Sequence, residues 1–231
     1  RANTIFISEE ISSLITDSTK ICNEIENIFI IGKNDNNMRF KNFKTEINKC
    51  VEKEPVIVSD EEPAFWLYSS GSTGEPKGVI HAHGSLLNTF ETYACKVLGI
   101  KENDVVFSVA KLFFAYGLGN AMTFPMGVGA TTALYPLRPT PDTVNEVMIL
   151  VKPSILFAVP TIYAAMIANL KKNSIKYQNL RRCVSAGEAL PSQIGTDWKN
   201  ITGVDILDGV GSTEMLHIFL SNKPNDITYG T

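Results

Sequence analysis

The residues of this chain that could do chemistry fall into three short strings and one loose pair. The densest string is Tyr68-Ser69-Ser70-Gly71-Ser72-Thr73-Gly74-Glu75-Pro76-Lys77-Gly78-Val79. Its glycines let the backbone turn N–H groups toward an anion, and the hydroxyls of Ser70, Ser72 and Thr73 add donors. Lys77 supplies a point charge suited to a phosphate. A Walker A loop needs glycine directly before the lysine and serine or threonine directly after it. Here Pro76 precedes Lys77 and Gly78 follows, which excludes that loop class. The other strings are Ser185-Ala186-Gly187-Glu188-Ala189-Leu190-Pro191 and Asp208-Gly209-Val210-Gly211-Ser212-Thr213-Glu214. Alone, the first reads as a turn, and Glu214 as a carboxylate at a helix start. His81 and His83 form a His-x-His pair with no third ligand in evidence, and they are read as structural. Ser70, Ser72 and Ser185 lack a partnered His and Asp, so a hydrolase triad has no support.

Taken together and in this order, the strings resemble the core motifs of the acyl-adenylate-forming superfamily: acyl-CoA synthetases, peptide-synthetase adenylation domains and luciferases. The resemblance implies ATP-dependent activation of a carboxylate. The carboxylate attacks the α-phosphate, pyrophosphate leaves, and a thiol then displaces AMP from the acyl carbon. Such a site must offer donors and cations where phosphate charge accumulates. The resemblance puts Ser70, Gly71, Ser72, Thr73, Gly74 and Lys77 on the β- and γ-phosphates. It puts Gly187, Glu188 and Ala189 on the adenosine, with Asp208, Gly209, Val210 and Gly211 closing over the nucleotide. Thr213 would contact the α-phosphate and Glu214 would hold Mg²⁺, which makes Lys77, Thr213 and Glu214 the implied catalytic set. One protein carboxylate with phosphate oxygens and waters is an ordinary Mg²⁺ site. Many relatives carry an aromatic residue where this chain has Val210, so no stacking on adenine is expected. His83 matches a histidine that commonly opens the helix after the phosphate loop.

Three further stretches bear on the acid: Phe65-Trp66-Leu67-Tyr68, Phe113-Phe114-Ala115-Tyr116-Gly117-Leu118-Gly119-Asn120 and Met215-Leu216-His217-Ile218-Phe219. They resemble the benzoate–CoA ligase branch. In that branch the positions of Ala115, Tyr116, Ala186, Gly211, His217 and Ile218 surround a flat aromatic ring. Ala186 and Gly211 would leave a slot on the ring faces, while Tyr116 and Ile218 close its sides. The implied co-substrates are ATP and CoA, with Mg²⁺, and the product is an aryl-CoA thioester. An apolar pocket separates acids differing by one small group by only about 1–3 kcal/mol. Hydroxybenzoates, aminobenzoates and alicyclic acids therefore stay open beside benzoate, and the absence of an obvious partner for a ring substituent favours the bare ring. Two alternatives also stand: an adenylating domain that loads a carrier-protein thiol, and a non-catalytic nucleotide-binding fragment.

These residues need elements to hold them, and strand-length apolar runs alternate with helical periodicity. Strands are expected at Thr4–Ile7, Ile28–Gly32, Phe65–Ser69, Val105–Ala110, Thr131–Tyr135, Ile155–Val159, Cys183–Ala186 and Val204–Leu207. Helices are expected at Ser8–Cys22, Asn42–Glu54, Gly84–Gly99, Thr140–Val151, Pro160–Lys172 and Pro191–Ile201, with Gly71–Gly78 as loop. Alternation of this kind implies an α/β fold of mostly parallel sheets layered with helices. By resemblance it is part of the large N-terminal domain of the acyl-adenylate-forming fold. The expected division is 1–62, the end of a first α/β subdomain, and 63–231, the ATP- and acid-binding subdomain. The family's later ribose-binding Asp, hinge and C-terminal domain lie beyond Thr231. The segment alone is therefore expected to form little acyl-adenylate.

Composition sets outer bounds. A net charge of −3 gives no basic footprint for nucleic acid. Cys22, Cys50, Cys95 and Cys183 are far apart, which speaks against a disulfide framework and for a cytoplasmic compartment. Leu112–Leu137 holds no charge, but its four glycines and two prolines make a single membrane helix untenable. Glu9, Glu10 and Asp17 fall where the apolar core of a signal peptide would have to be. The expected partners are small molecules, with a homodimer among the assemblies allowed.

Overall fold

The computed structural model describes residues 2–15, 24–33, 40–69, 74–173 and 176–230. It divides into two compact units, Arg1–Ile57 and Val58–Thr231. In the first, β1 (Thr4–Ser8), β2 (Asn27–Ile31) and β3 (Lys41–Asn42) form a parallel sheet in that order. Ile7, Ile15, Ile28 and Ile30 make its core. Where a helix is expected over Ser8–Cys22, the described chain shows a 3₁₀ turn, Glu9–Ile11, and then helical residues 13–15, while residues 16–23 lie outside the described part. The helix expected over 42–54 is only α1 (Phe43–Ile47), capped by Asn42, whose side chain accepts from the Thr45 amide at 3.0 Å. Val51, Val56 and Ile57 beyond it are exposed, so a longer helix would have no apolar face to bury.

The second unit contains an antiparallel hairpin, β4 (Pro63–Ser69) and β5 (Lys77–Ala82). The sequence reading carries loop through Gly78, so β5 is a correction. Lys-Gly-Val-Ile-His-Ala has no strand pattern of its own and is extended because it pairs with β4. Next come α2 (His83–Thr89), continued by the π-wound turns Phe90–Leu98, and β6 (Val105–Ser108). The charge-free passage forms α3 (Ala115–Leu118), π-wound turns Gly119–Thr123, α4 (Phe124–Val128) and β7 (Thr131–Ala133). Among the described residues no helix is long and apolar enough to cross a membrane. The remainder is α5 (Pro141–Val151), β8 (Ile155–Ala158), α6 (Pro160–Asn173), β9 (Arg182–Ser185), α7 (Ser192–Thr202), β10 (Ile206–Gly211) and β11 (Ile218–Ser221).

The last six strands form one sheet, in the order β11-β10-β9-β8-β6-β7. Neighbours from β10 to β7 are parallel, while β11 joins β10 antiparallel. The expectation of a mostly parallel α/β fold holds, and β11, like β3 and β5, is a strand the sequence reading lacks. All four residues of β8 are buried, as a strand covered on both faces requires. Alternate side chains serve opposite faces. Phe107, Leu156 and Ala158 pack under Tyr163 of α6 and Trp198 of α7, whose rings meet edge-on at 4.8 Å. Val106, Ile155 and Phe157 pack with Tyr93, Leu98 and Phe124 on the other face. Each such side chain contributes roughly 1.5–3 kcal/mol.

A polar knot ties together the residues that precede β6, β8 and β9. Asp104, buried, accepts from Arg181 Nε at 2.7 Å and also from Arg181 Nη2, from Ser154 Oγ at 2.7 Å and from the Lys101 amide at 2.8 Å. Burial pushes its carboxyl upward. The Arg181 guanidinium, with the Ser154 and Lys101 donors, outweighs that and holds it below the usual carboxylate range.

Candidate functional site

Parallel sheets hold ligands beyond the carboxyl ends of their strands. At the ends of β6, β8, β9 and β10, Val109, Val159, Ala186 and Gly211 line a cavity of about 460 Å³. Every position that the resemblance assigns to an aromatic ring lies in its wall: Ala115, Tyr116, Ala186, Gly211, His217 and Ile218. Gly187 and Thr213 share that wall.

His217 is the most constrained of these. It leaves the turn between β10 and β11, where Leu216 takes a left-handed φ of 65°. That conformation costs a non-glycine residue about 1–2 kcal/mol and is held here by tertiary packing. The buried imidazole places Nε2 2.9 Å from Asn120 Oδ1. Phe124 meets the ring edge-on at 4.6 Å, and Tyr93 lies 4.9 Å away. Burial drives its pKa down to about 3, so the ring is neutral at physiological pH. Two close approaches make this packing possible. A Cβ on Gly119 would sit 2.5 Å from His217 Cδ2, and one on Gly211 would sit 2.8 Å from the His217 carbonyl oxygen. Tyr116 donates from Oη to the Val184 oxygen at 3.3 Å and stands edge-on to Phe157. Burial raises its phenol well above the ordinary value.

The second and third strings run side by side. Asp208 on β10 is the register partner of Ser185 on β9, and its Oδ2 accepts from the Leu190 amide at 3.2 Å. Burial raises the Asp208 carboxyl, and that amide only partly offsets the effect. Asp208, Gly209 and Val210 open onto a hollow of about 200 Å³ beside β11. Glu188 and Ala189 are exposed at the turn. Glu214 lines a different cavity, about 510 Å³, with His81 of β5, and Ile218 forms a wall common to that cavity and the first. The hairpin and the third string thus meet at His81 and Glu214. His81 is buried against Phe65, with its ring at 5.2 Å and Nε2 lacking a partner, whereas His83 is exposed at the start of α2.

The first string is not gathered in the same way. Ser70, Gly71, Ser72 and Thr73 lie outside the described residues, and Gly74 and Lys77 are exposed on the hairpin, away from the linings of both larger cavities. Among the described residues no group of three His, Cys, Asp or Glu could hold a metal. The exposed Glu214 carboxylate beside the Thr213 hydroxyl is a hard oxygen set, which fits a Mg²⁺ that takes its other ligands from phosphates and water. The carboxylate lies below its usual range, chiefly through its own backbone N–H and the Ser212 hydroxyl. Sequence reasoning did not assign Lys111, Asn120 or Ser212 to the site. Lys111 immediately precedes the charge-free passage Leu112–Leu137, and Asn120 closes one of the quoted strings.

A parallel sheet whose strand ends carry the second and third strings beside such a cavity is consistent with the AMP-binding enzyme class. Residues 3–231 match the family of that description, and the chain belongs to it. Benzoate–CoA ligase of Thauera aromatica is 57% identical over 171 residues, 74% of this chain and 32% of the relative. A benzoate CoA ligase structure from Burkholderia xenovorans LB400 superposes with a TM-score of 0.88 at 40% identity, covering 100% of this chain and 45% of that one. The anthranilate CoA ligase AuaEII, solved in complex with anthranoyl-AMP, gives 0.89 at 37% identity, covering 99% and 43%. The chain therefore spans about a third of the length of the curated relative.

Proposed function

We propose that the intact protein activates benzoate or a close aromatic analogue through an acyl-adenylate and passes the acyl group to CoA, releasing pyrophosphate and then AMP. The observation that carries this reading is the cavity of about 460 Å³ whose wall joins the six ring-contacting positions to Thr213 and Gly187. Its apolar character suits a ring, and the small Ala186 and Gly211 leave room on the ring faces. The same reading assigns 63–231 to nucleotide and acid binding, in the cytoplasm.

In this scheme Ser70–Gly74 and Lys77 neutralise the β- and γ-phosphates, so that pyrophosphate can leave with the electrons of the broken P–O bond. Thr213 orients the α-phosphate for in-line attack by the carboxylate oxygen. Gly187–Ala189 and Asp208–Gly211 hold the adenosine, and Glu214 supplies the protein ligand to Mg²⁺. The cation, when bound, screens charge that develops on the phosphate oxygens. His217, neutral and wedged among aromatic rings, shapes the cavity and donates no charge to the reaction. The thiol sulfur then attacks the acyl carbon, its proton passes to solvent, and the acyl–O bond breaks to release AMP.

Acid-dependent pyrophosphate release and thioester formation by the intact protein test this. Benzoate should give the highest kcat/KM among benzoate, hydroxybenzoates, aminobenzoates and cyclohexane carboxylate. No release with any aromatic acid would defeat the proposal.

A further inference from the structure

We infer that Lys111, which no sequence string singles out, is the residue that receives the carboxylate of the acid in the cavity at the ends of β6, β8, β9 and β10. This rests on the acid-binding reading above and extends it to a particular electrostatic contact. Among the side chains lining that cavity, Lys111 is the one that carries a formal charge: the rest are apolar groups, hydroxyls, glycines and the neutral His217. No acidic side chain lines it. The ion pairs among the described residues are Lys49–Glu46, Lys171–Asp197, Arg181–Asp104 and Lys199–Asp205, so none of them engages Lys111.

The ammonium is nevertheless held in place. Lys111 Nζ donates to the carbonyl oxygens of Tyr135 and Leu137, and it lies 5.5 Å from the centre of the Tyr135 ring. An ammonium has three donors, and these carbonyls take two. What is left is a half-buried, oriented cation with one open donor and no counter-charge, in the wall of a mostly apolar chamber. Bringing a carboxylate into such a chamber is costly unless a charged partner meets it. Lys111 supplies that partner as a charge-assisted hydrogen bond, already immobilised before the acid arrives. The arrangement selects for anions: a neutral ring of the same shape would fill the cavity and leave the cation unpaired.

The rival role is mechanical, with Lys111 only clamping the Tyr135–Leu137 segment to the chain leaving β6. Ligand charge separates the two. Benzoate and the nearly isosteric benzamide are titrated by calorimetry into the intact wild-type protein, Lys111→Gln and Lys111→Arg. The wild type should bind benzoate at least about tenfold more tightly than benzamide, as a hydrogen bond to a charged group implies. Lys111→Gln keeps a donor but loses the charge, so it should abolish that preference while benzamide changes by less than about threefold; Lys111→Arg should retain it. Equal weakening of both ligands in Lys111→Gln, or an unchanged benzoate affinity, would overturn the inference. So would equal binding of the two ligands by the wild type, a result that needs no variant to fold. If the wild type bound neither ligand, the acid-binding reading itself would fall and this inference with it.

Discussion

The cavity at the strand ends and the β4–β5 hairpin handle their chemistry in opposite ways. The cavity is carved into a sheet packed on both faces, and its defining side chain, His217, is buried against three aromatic rings. The hairpin is a two-stranded ribbon on which Trp66, Tyr68 and Ile80 remain exposed. A two-stranded ribbon has little stability of its own. On the proposed reading, recognition of a ring rests on side-chain packing, whereas recognition of phosphates rests on the glycine-rich string and one exposed lysine. Substitutions in the first region should perturb stability and specificity together. In the second they should perturb nucleotide use alone.

The largest expected effect lies in the frame behind the cavity. Asp104→Asn removes the carboxylate that Arg181 pairs with and should cost about 3 kcal/mol in urea denaturation. Because the folded carboxyl lies below its unfolded value, its contribution is present above the unfolded pKa and is lost as pH falls through the folded one. In the wild type that loss should begin below about pH 4. Next comes Lys77→Ala on the hairpin, expected to lower ATP-dependent adenylation about 100-fold, as does removal of one charge-stabilising donor. Its unfolding free energy should stay within about 0.5 kcal/mol of wild type, as for an exposed residue. A large loss of stability there would break the contrast between the two regions. The smallest effect is a pH slope. The folded pKa of His217, about 3, lies below the unfolded value of 6.5, so the unfolded chain binds the extra proton between them. Wild-type stability should fall on acidification through that window by up to about 1.4 kcal/mol per pH unit. His217→Asn should flatten that slope, as read by denaturation at pH 6 and pH 5.

The same contrast explains what could be read from the sequence. Ala186 and Gly211 lie at the ends of β9 and β10, and Ala115, Tyr116, His217 and Ile218 converge on them from α3 and from the turn into β11. β5 and β11 escaped because a strand made by pairing need not alternate in type: Lys77–Ala82 is defined by β4 and Ile218–Ser221 by β10. The helix expected over Asn42–Glu54 stops at Ile47, and Val51 beyond it has nothing to pack on. Lys111 and Asp104 were missed for a common reason: each works through groups distant in sequence, the Tyr135 and Leu137 carbonyls in one case and Ser154 and Arg181 in the other.

The claim that the cavity takes a flat aromatic acid is tested most directly by filling the slot. Calorimetric titration of benzoate into the intact Ala186→Leu variant, with ATP binding and thermal unfolding measured alongside, should show benzoate binding lost while ATP binding persists in a folded protein. Benzoate affinity equal to wild type in that folded variant would contradict the account.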